Sequence, residues 1–390
     1  MKSNCIVSIL LTLTSLGCAK GKSDPGSLPA AGVNNVTQSR EDTASTFRFS
    51  VTLSAASTKT VSVQYATVDG SASSPKDYTA GNGTLTFQPG ETKLYIDVKV
   101  SGDSLRQPDQ DFFVQLSSPQ NCTISINKGT GTILNDGTYL PTDESGYTTP
   151  VSYPGYQLAW SDEFDSTAIN TNDWNFETGG NGWGNHELEY YTARTQNAFV
   201  SSGNLVIEAR SESYGGSNYT SARMTTAGKR EFQYGRIDIR AKLPVSAGMW
   251  PALWMLGSNF QQAGWPGCGE TDIMELIGKN PKQVVGSFHW QKGDGSEGTV
   301  NNVYNATEDF SRHFHVFSLV WDKDSMQILV DDQVYVTGTS QNITSGNYPF
   351  NAPFFLIFNV AVGGDWPGPP DGTTIFPQRM FVDYVRVFQK

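Results

Sequence analysis

Short runs of alternating apolar and polar residues recur along the chain, and Gly or Pro punctuates them. Phe47-Arg48-Phe49-Ser50-Val51-Thr52-Leu53, Thr60 to Tyr65, Leu85-Thr86-Phe87, Leu94 to Val100 and Phe113 to Leu116 follow one another at regular spacing. Further on come Leu205 to Ala209, Gly235 to Ala241, Trp250 to Leu256, Val284 to Trp290, Phe314 to Trp321, Met326 to Val330, Val334 to Val336, Phe354 to Val360 and Phe381 to Phe388. Side chains of a strand alternate between faces, so such runs bury one face only when packed as sheets. Good helical stretches are few. The chain therefore reads as all-β, with its 390 residues divided between a smaller and a larger β-sandwich.

One run carries chemistry. Trp265 to Gly278 reads W-P-G-C-G-E-T-D-I-M-E-L-I-G, with Glu270, Asp272 and Glu275 among apolar neighbours. In a strand Glu270 and Asp272 share a face, and Glu275 falls on the other. A β-bulge at Ile273-Met274 would add one residue and return Glu275 to the first face. Two carboxyls on one surface suit glycosidic hydrolysis, one as acid and one as base or nucleophile. Retaining enzymes hold them about 5 Å apart. A calcium loop would alternate Asp, Asn and Gly, and this run is too apolar for that.

The net charge of −11 argues against nucleic acid or an anionic membrane as the main partner. Met1 to Gly17 reads as an address: Lys2, then the short apolar core Ile6 to Leu16, ending at Gly17-Cys18. It resembles a bacterial lipoprotein signal, which implies cleavage before Cys18 and its acylation, although Ser15 stands where Leu is usual. The alternative is an ordinary secretory signal. Either way the protein is expected to be exported, lipid-anchored at the cell envelope or else secreted, and a monomer. Residues 18–28 form a polar tether. Cys122 and Cys268 fall in different domains and read as small buried hydrophobes rather than a disulfide pair. The four histidines are too scattered to form a metal cluster.

Residues 29–137 carry Tyr65-Ala66-Thr67 with Asp69-Gly70, Asp77-Tyr78, Gly83 to Phe87, Pro89-Gly90-Glu91-Thr92, Asp111 to Val114 and Thr132 to Asp136. These words resemble a Calx-β domain. Asp111 replaces the Glu usual in that family, and Gly137 follows Asp136 where a second acid is common, which favours a spacer over a calcium-binding role. Residues 138–156, broken by Pro141, Gly146, Pro150, Pro154 and Gly155, read as a linker.

Residues 157–390 contain Trp160 to Asp165, Gly182-Trp183-Gly184-Asn185 with Glu187-Leu188 and Tyr190-Tyr191-Thr192, and Thr220 to Arg223. Tyr234-Gly235-Arg236, Gly248 to Met255, Trp265-Pro266, Gly269 to Glu275, His289-Trp290 and Val382 to Val387 follow. Together they resemble glycoside hydrolase family 16, and within it the laminarinase-like endo-β-1,3-glucanases. Thr271 stands where an aliphatic residue is commoner. The resemblance implies a concanavalin-like jelly-roll sandwich with a substrate groove, Glu270 as nucleophile, Glu275 as acid/base and Asp272 as the assisting carboxylate. It also places His289 near the acid/base, requires no cofactor for catalysis, and implies a structural calcium at Glu163, Gly203 and Asp383. Trp250 and Trp254 lie four apart in a strand, so both face one way and read as sugar platforms. Trp265, Asn185, Glu187 and Arg223 are further candidates for binding sugar.

The expected substrate is a β-1,3-glucan or a mixed-linkage β-1,3-1,4-glucan, cleaved internally with retention. One alternative is a galactan hydrolase of the same fold, of the agarase or carrageenase type. Another is a surface glycan-binding protein without catalysis, against which both glutamates speak.

Overall fold

The computed structural model describes residues 27–390 apart from 42, 104–106, 136–137, 344–345 and 347. The leader, Cys18 and nearly all of the tether lie outside the described residues. The chain forms two compact units, one reaching Asp103 and resuming at Asp109–Leu134, the other containing Asn135–Lys390.

The first unit has a four-stranded and a five-stranded sheet. Its core is the inward half of the alternating runs: Phe47, Phe49 and Val51 from one strand, Ile96, Val98 and Val100 from its neighbour, with Phe112 stacked on Tyr78. The sequence missed its short strands Ala30–Val33, Val36–Ser39 and Thr123–Ile126, too brief to show a period. Asp111 accepts a hydrogen bond from Thr132 (2.7 Å), and Asp69 accepts from Tyr78 (2.6 Å).

The second unit stacks a ten-stranded sheet on a seven-stranded one. The seven-stranded sheet runs, in spatial order, Asn175–Glu177, Arg223–Thr225, Phe354–Val362, Met249–Gly257, Glu270–Glu275, Gln283–Gln291 and Glu297–Asn305. Alternation sorts each strand between two environments. From Met249–Gly257, Met249, Leu253 and Met255 enter the core between the sheets, while Trp250, Ala252, Trp254 and Leu256 line an open groove. Phe354–Val362 is buried along its whole length. Phe354, Leu356, Phe358, Val360 and Val362 pack inward, and Asn359 and Ala361 face the groove.

Residues 138–156 are not a free linker. The segment lies along the ten-stranded sheet, the side away from the groove. Tyr147 N–H bonds the Phe314 carbonyl (2.9 Å), and Tyr147 Oη donates to Asp332 (2.8 Å). Buried Thr149 meets Tyr384 Oη, and Tyr153 Oη donates to Asp238 (2.7 Å). Arg240, its side chain 3% exposed, reaches the carbonyls of Glu144 (2.6 Å) and Tyr147 (2.7 Å) as well as Asp383 (2.8 Å). Prolines and glycines broke the period without detaching the segment, because its anchors are single aromatic and carbonyl groups rather than a strand face.

Candidate active site

The bulge predicted at Ile273-Met274 is present. Against the Met249–Gly257 strand, Met274 pairs with Leu253 and Asp272 with Trp254, so Ile273 has no opposite residue. On the other side, Asp272 pairs with Ser287 and Glu275 with Val285, three steps against two. Ile273 and Met274 both enter the core, and Glu270, Asp272 and Glu275 all line the groove. The freed carbonyl of Ile273 accepts a hydrogen bond from Tyr335 Oη (3.2 Å), which reaches it from the opposite sheet. Gly286 makes room for that reach, since a Cβ there would sit 2.6 Å from Tyr335 Oη.

The groove, of about 750 Å³, is walled by Trp183, Asn185, Glu187 and Arg223 on one side and by Phe260, Trp265, His289 and Glu297 on another. Trp250 Nε1 donates to Glu275 Oε1 (2.9 Å), and Trp254 Nε1 donates to Asn359 Oδ1 (2.8 Å). Both expected platforms thus line the groove with their indole N–H fixed. Trp265 is 49% exposed and tilts over the His289 ring at 6.5 Å. Asn185 donates to Glu187 (3.1 Å), which also accepts from Tyr191 (2.9 Å), and Tyr191 accepts from Asn359 (3.1 Å). Arg223 pairs with Glu177 and lies between the faces of Trp183 (5.0 Å) and Trp254 (4.7 Å).

His289 joins the carboxylate cluster. In the ladder it lies opposite Glu270, and its Nε2 is 3.0 Å from Asp272 Oδ2. That contact has ion-pair distance but falls outside hydrogen-bond geometry, so Asp272 Oδ2 has no hydrogen-bond partner among the described residues. The residue opposite Glu275 is Val285 instead. The hairpin between the two strands sets this register, and the sequence did not fix its pairing.

Burial dominates the electrostatics. It pushes Glu275 up to about 8, helped by the Asp272 charge and opposed by the Trp250 hydrogen bond and by His289. Burial and then Asp272 also raise Glu270 well above the ordinary range, against the pull of His289 and Arg223. For His289 burial works downward, yet Asp272, Glu270 and Glu297 outweigh it and lift the ring to about 10.

The groove residues that sequence reading missed include Trp183, Trp366, Asn359, Glu297 and Asn301. Asn359 had a visible signal as the single polar residue in F-F-L-I-F-N-V-A-V. Trp183 and Trp366 sit in Gly-rich loops without periodicity.

The positions expected to hold calcium converge. Asp162, the last residue of its strand, pairs with Val385, and Leu205, near the start of another, pairs with Val382, so the turns that hold Glu163 and Gly203 both adjoin the stretch around Asp383. The Glu163 carboxylate is taken by Arg386 and that of Asp383 by Arg240. Asn204 Oδ1 is buried with no hydrogen-bond partner among the described residues. The donor set left to a cation is main-chain oxygen plus this amide, which suits a hard ion.

The Calx-beta domain model matches residues 30–136, and the model of glycosyl hydrolases family 16 matches residues 185–385. The Beta-glucanase of Rhodothermus marinus is 42% identical over 246 residues, covering 60% of this chain and 86% of that protein. The Glucan endo-1,3-beta-glucosidase of Cryptopygus antarcticus is 43% identical over 253 residues, covering 60% and 93%. The laminarinase catalytic domain from Thermotoga maritima MSB8 superposes with a TM-score of 0.56 at 50% identity, covering 60% of this chain and 98% of that one. Half the chain under one family model, and relatives spanned almost end to end, leave one assignment: the chain belongs to the glycosyl hydrolases of family 16.

Proposed function

We propose that the protein is a retaining endo-β-1,3-glucanase acting on laminarin-like or mixed-linkage β-1,3-1,4-glucans, with Glu270 as nucleophile and Glu275 as acid/base. The observation that carries this reading is the bulge. It brings Glu275 onto the face of Glu270 and Asp272, in a position where burial holds it protonated near pH 7. Three carboxyls this close do not all ionise together. The positive charges of both His289 and Arg223 bear on Glu270, whereas of these two only His289 bears on Glu275. Charge is therefore favoured on Glu270 over Glu275, and the proton on Glu275. Glu270 attacks the anomeric carbon while Glu275 protonates the leaving oxygen, breaking the glycosidic bond. Glycosylation then removes the Glu270 charge. The Glu275 carboxyl becomes more acidic and its carboxylate can take a proton from water. Trp250, Trp254 and Trp265 offer flat apolar faces to glucose rings along the groove.

The test is a product profile on laminarin, barley β-glucan and agarose, with the anomer of the first product read by NMR. Internal cleavage of the glucans with a β product is expected. Release from agarose alone, or an α product, refutes the assignment. The finer proposals are a calcium held by main-chain oxygens at Glu163, Gly203 and Asp383 with Asn204 beside them, and an envelope location through acylated Cys18. The first rests on the convergence of those strands, the second on the apolar leader ending at Gly17-Cys18.

A further inference from the structure

We propose that Glu297 is a positioning residue of this active site: through His289 it holds an imidazolium cation against Asp272 and Glu270. The inference rests on the functional reading above, but its geometry does not. Glu297 and Thr299 lie two apart on the edge strand Glu297–Asn305, hence on one face, and Thr299 is directly opposite His289. Glu297 Oε1 is 2.6 Å from His289 Nδ1 and accepts from Thr299 Oγ1 at 2.9 Å, while Thr299 Oγ1 stands 3.2 Å from the same ring nitrogen. The other ring nitrogen, Nε2, is 3.0 Å from Asp272 Oδ2.

A neutral imidazole has one N–H and one lone pair. Here a carboxylate oxygen faces each nitrogen, so the neutral ring would set a lone pair against one of them. The imidazolium donates its Nδ1–H to Glu297 and turns positive charge, rather than a lone pair, towards Asp272. One oxygen each from Glu270 and Asp272 and a ring nitrogen of His289 lie within 4.8 Å of one another, so the cation sits inside the carboxylate cluster. The charged groups around the ring are Glu270, Asp272 and Glu275 from the central strand and Glu297 from the edge strand. Lys292 acts on Glu297 from the hairpin, and Arg223 acts on Glu270 across the groove. The ring is therefore lifted to about 10 although burial opposes this.

This gives Glu297 a role no substrate contact would. The His289 charge favours the ionised form of Glu270, and Glu297 anchors the far end of the ring that carries it. When Glu270 becomes glycosylated the cation remains paired with Asp272, so the acid/base faces a steady neighbour through both half-reactions.

The experiment follows the ring proton directly. The full-length protein is labelled in its histidines, of which there are four, and titrated by NMR, with His289→Gln used to assign the signal. In Glu297→Gln the midpoint of His289 should fall by about 1–3 units, the range for losing an opposite charge at contact distance. His186, His313 and His315 should not move. On laminarin, kcat should fall with KM changed less than about twofold, and the loss should grow with pH: at pH 9 a midpoint lowered from about 10 by one roughly halves the cation, and one lowered by two leaves about a tenth of it. Thr299→Val, which keeps the carboxylate, should shift the midpoint far less. An unmoved His289 midpoint in Glu297→Gln overturns the proposal, as does a kcat loss equal at every pH. If the wild-type protein cleaves no glucan, the functional reading fails while the titration still decides the role of Glu297 in holding the ring charge.

Discussion

Deleting the segment before Tyr153 should destabilise the catalytic unit without touching its chemistry. Compare a chain that begins at Asn135 with one that begins at Tyr153. The shorter chain loses the Glu144 and Tyr147 carbonyls, which bond Arg240 at 2.6 and 2.7 Å, and the weaker Glu144 carboxylate contact at 3.4 Å. Among the described residues, Asp383 alone then remains as a hydrogen-bond partner of a guanidinium whose side chain is 3% exposed. A hydrogen bond to a charged group contributes about 1.5–3 kcal/mol, so two strong ones set an upper value of about 3–6 kcal/mol. Water entering the uncovered surface returns part of this, leaving a net loss of about 2–4 kcal/mol. Urea unfolding followed by tryptophan fluorescence measures it. A double-mutant cycle isolates the cause: Arg240→Met should destabilise the longer chain strongly and the shorter one little. The rate on soluble laminarin at 25 °C should be the same for both, because the groove lies on the other sheet. Coincident urea midpoints, or an equal effect of Arg240→Met in both chains, would refute the reasoning.

Five more outcomes are expected. Tyr335→Phe removes the hydroxyl that holds the Ile273 carbonyl; it should destabilise by about 1 kcal/mol and lower kcat more than KM changes, which steady-state kinetics will show. The alkaline limb of kcat/KM should fall with a midpoint near 8, where Glu275 loses its proton. Its folded pKa is raised, so the associated stability is complete below the unfolded value and lost as pH rises towards 8. Glu275→Gln, which cannot ionise, should therefore match wild type near pH 4 and exceed it in melting temperature at pH 9, by a margin worth at most about 4–5 kcal/mol. EDTA should lower the melting temperature if calcium is held near Asp383, and added calcium should restore it; no change in either direction argues against the ion. Cys18→Ala should release the protein from membranes into the soluble fraction, and continued membrane association would rule out the anchor.

Much of the site was legible because the strand period is strict. The face shared by Trp250 and Trp254, and the need for a bulge to recruit Glu275, follow from counting residues. What counting could not supply was pairing. His289 was expected near Glu275, but only the ladder shows that it stands opposite Glu270 with its Nε2 3.0 Å from Asp272. Glu297 sits on an edge strand, E-G-T-V-N-N-V-Y-N, whose polar residues look like ordinary solvent cover until the neighbouring strand places His289 opposite Thr299. The segment 138–156 misled for the opposite reason. Its Pro and Gly residues report local backbone, while its attachment depends on Arg240, Asp238 and Tyr384, which are remote in sequence.

The central strand behaves like a text with one letter too many. Facing alternates as even and odd up to Asp272, and past Ile273-Met274 the parity is reversed, so Glu275 reads as though it were the next even position. Removing either Ile273 or Met274 would cancel the reversal and leave the last glutamate two places after Asp272, still facing the groove. Adding a residue at the same point would likewise make the count even, placing that glutamate four places after Asp272, on the groove face but one pair further along the strand. The bulge thus fixes how far along the groove the acid/base stands, since a regular strand with one residue fewer or more would keep its facing and change its place. Tyr335, bound to the surplus carbonyl, marks the place where the frame changes.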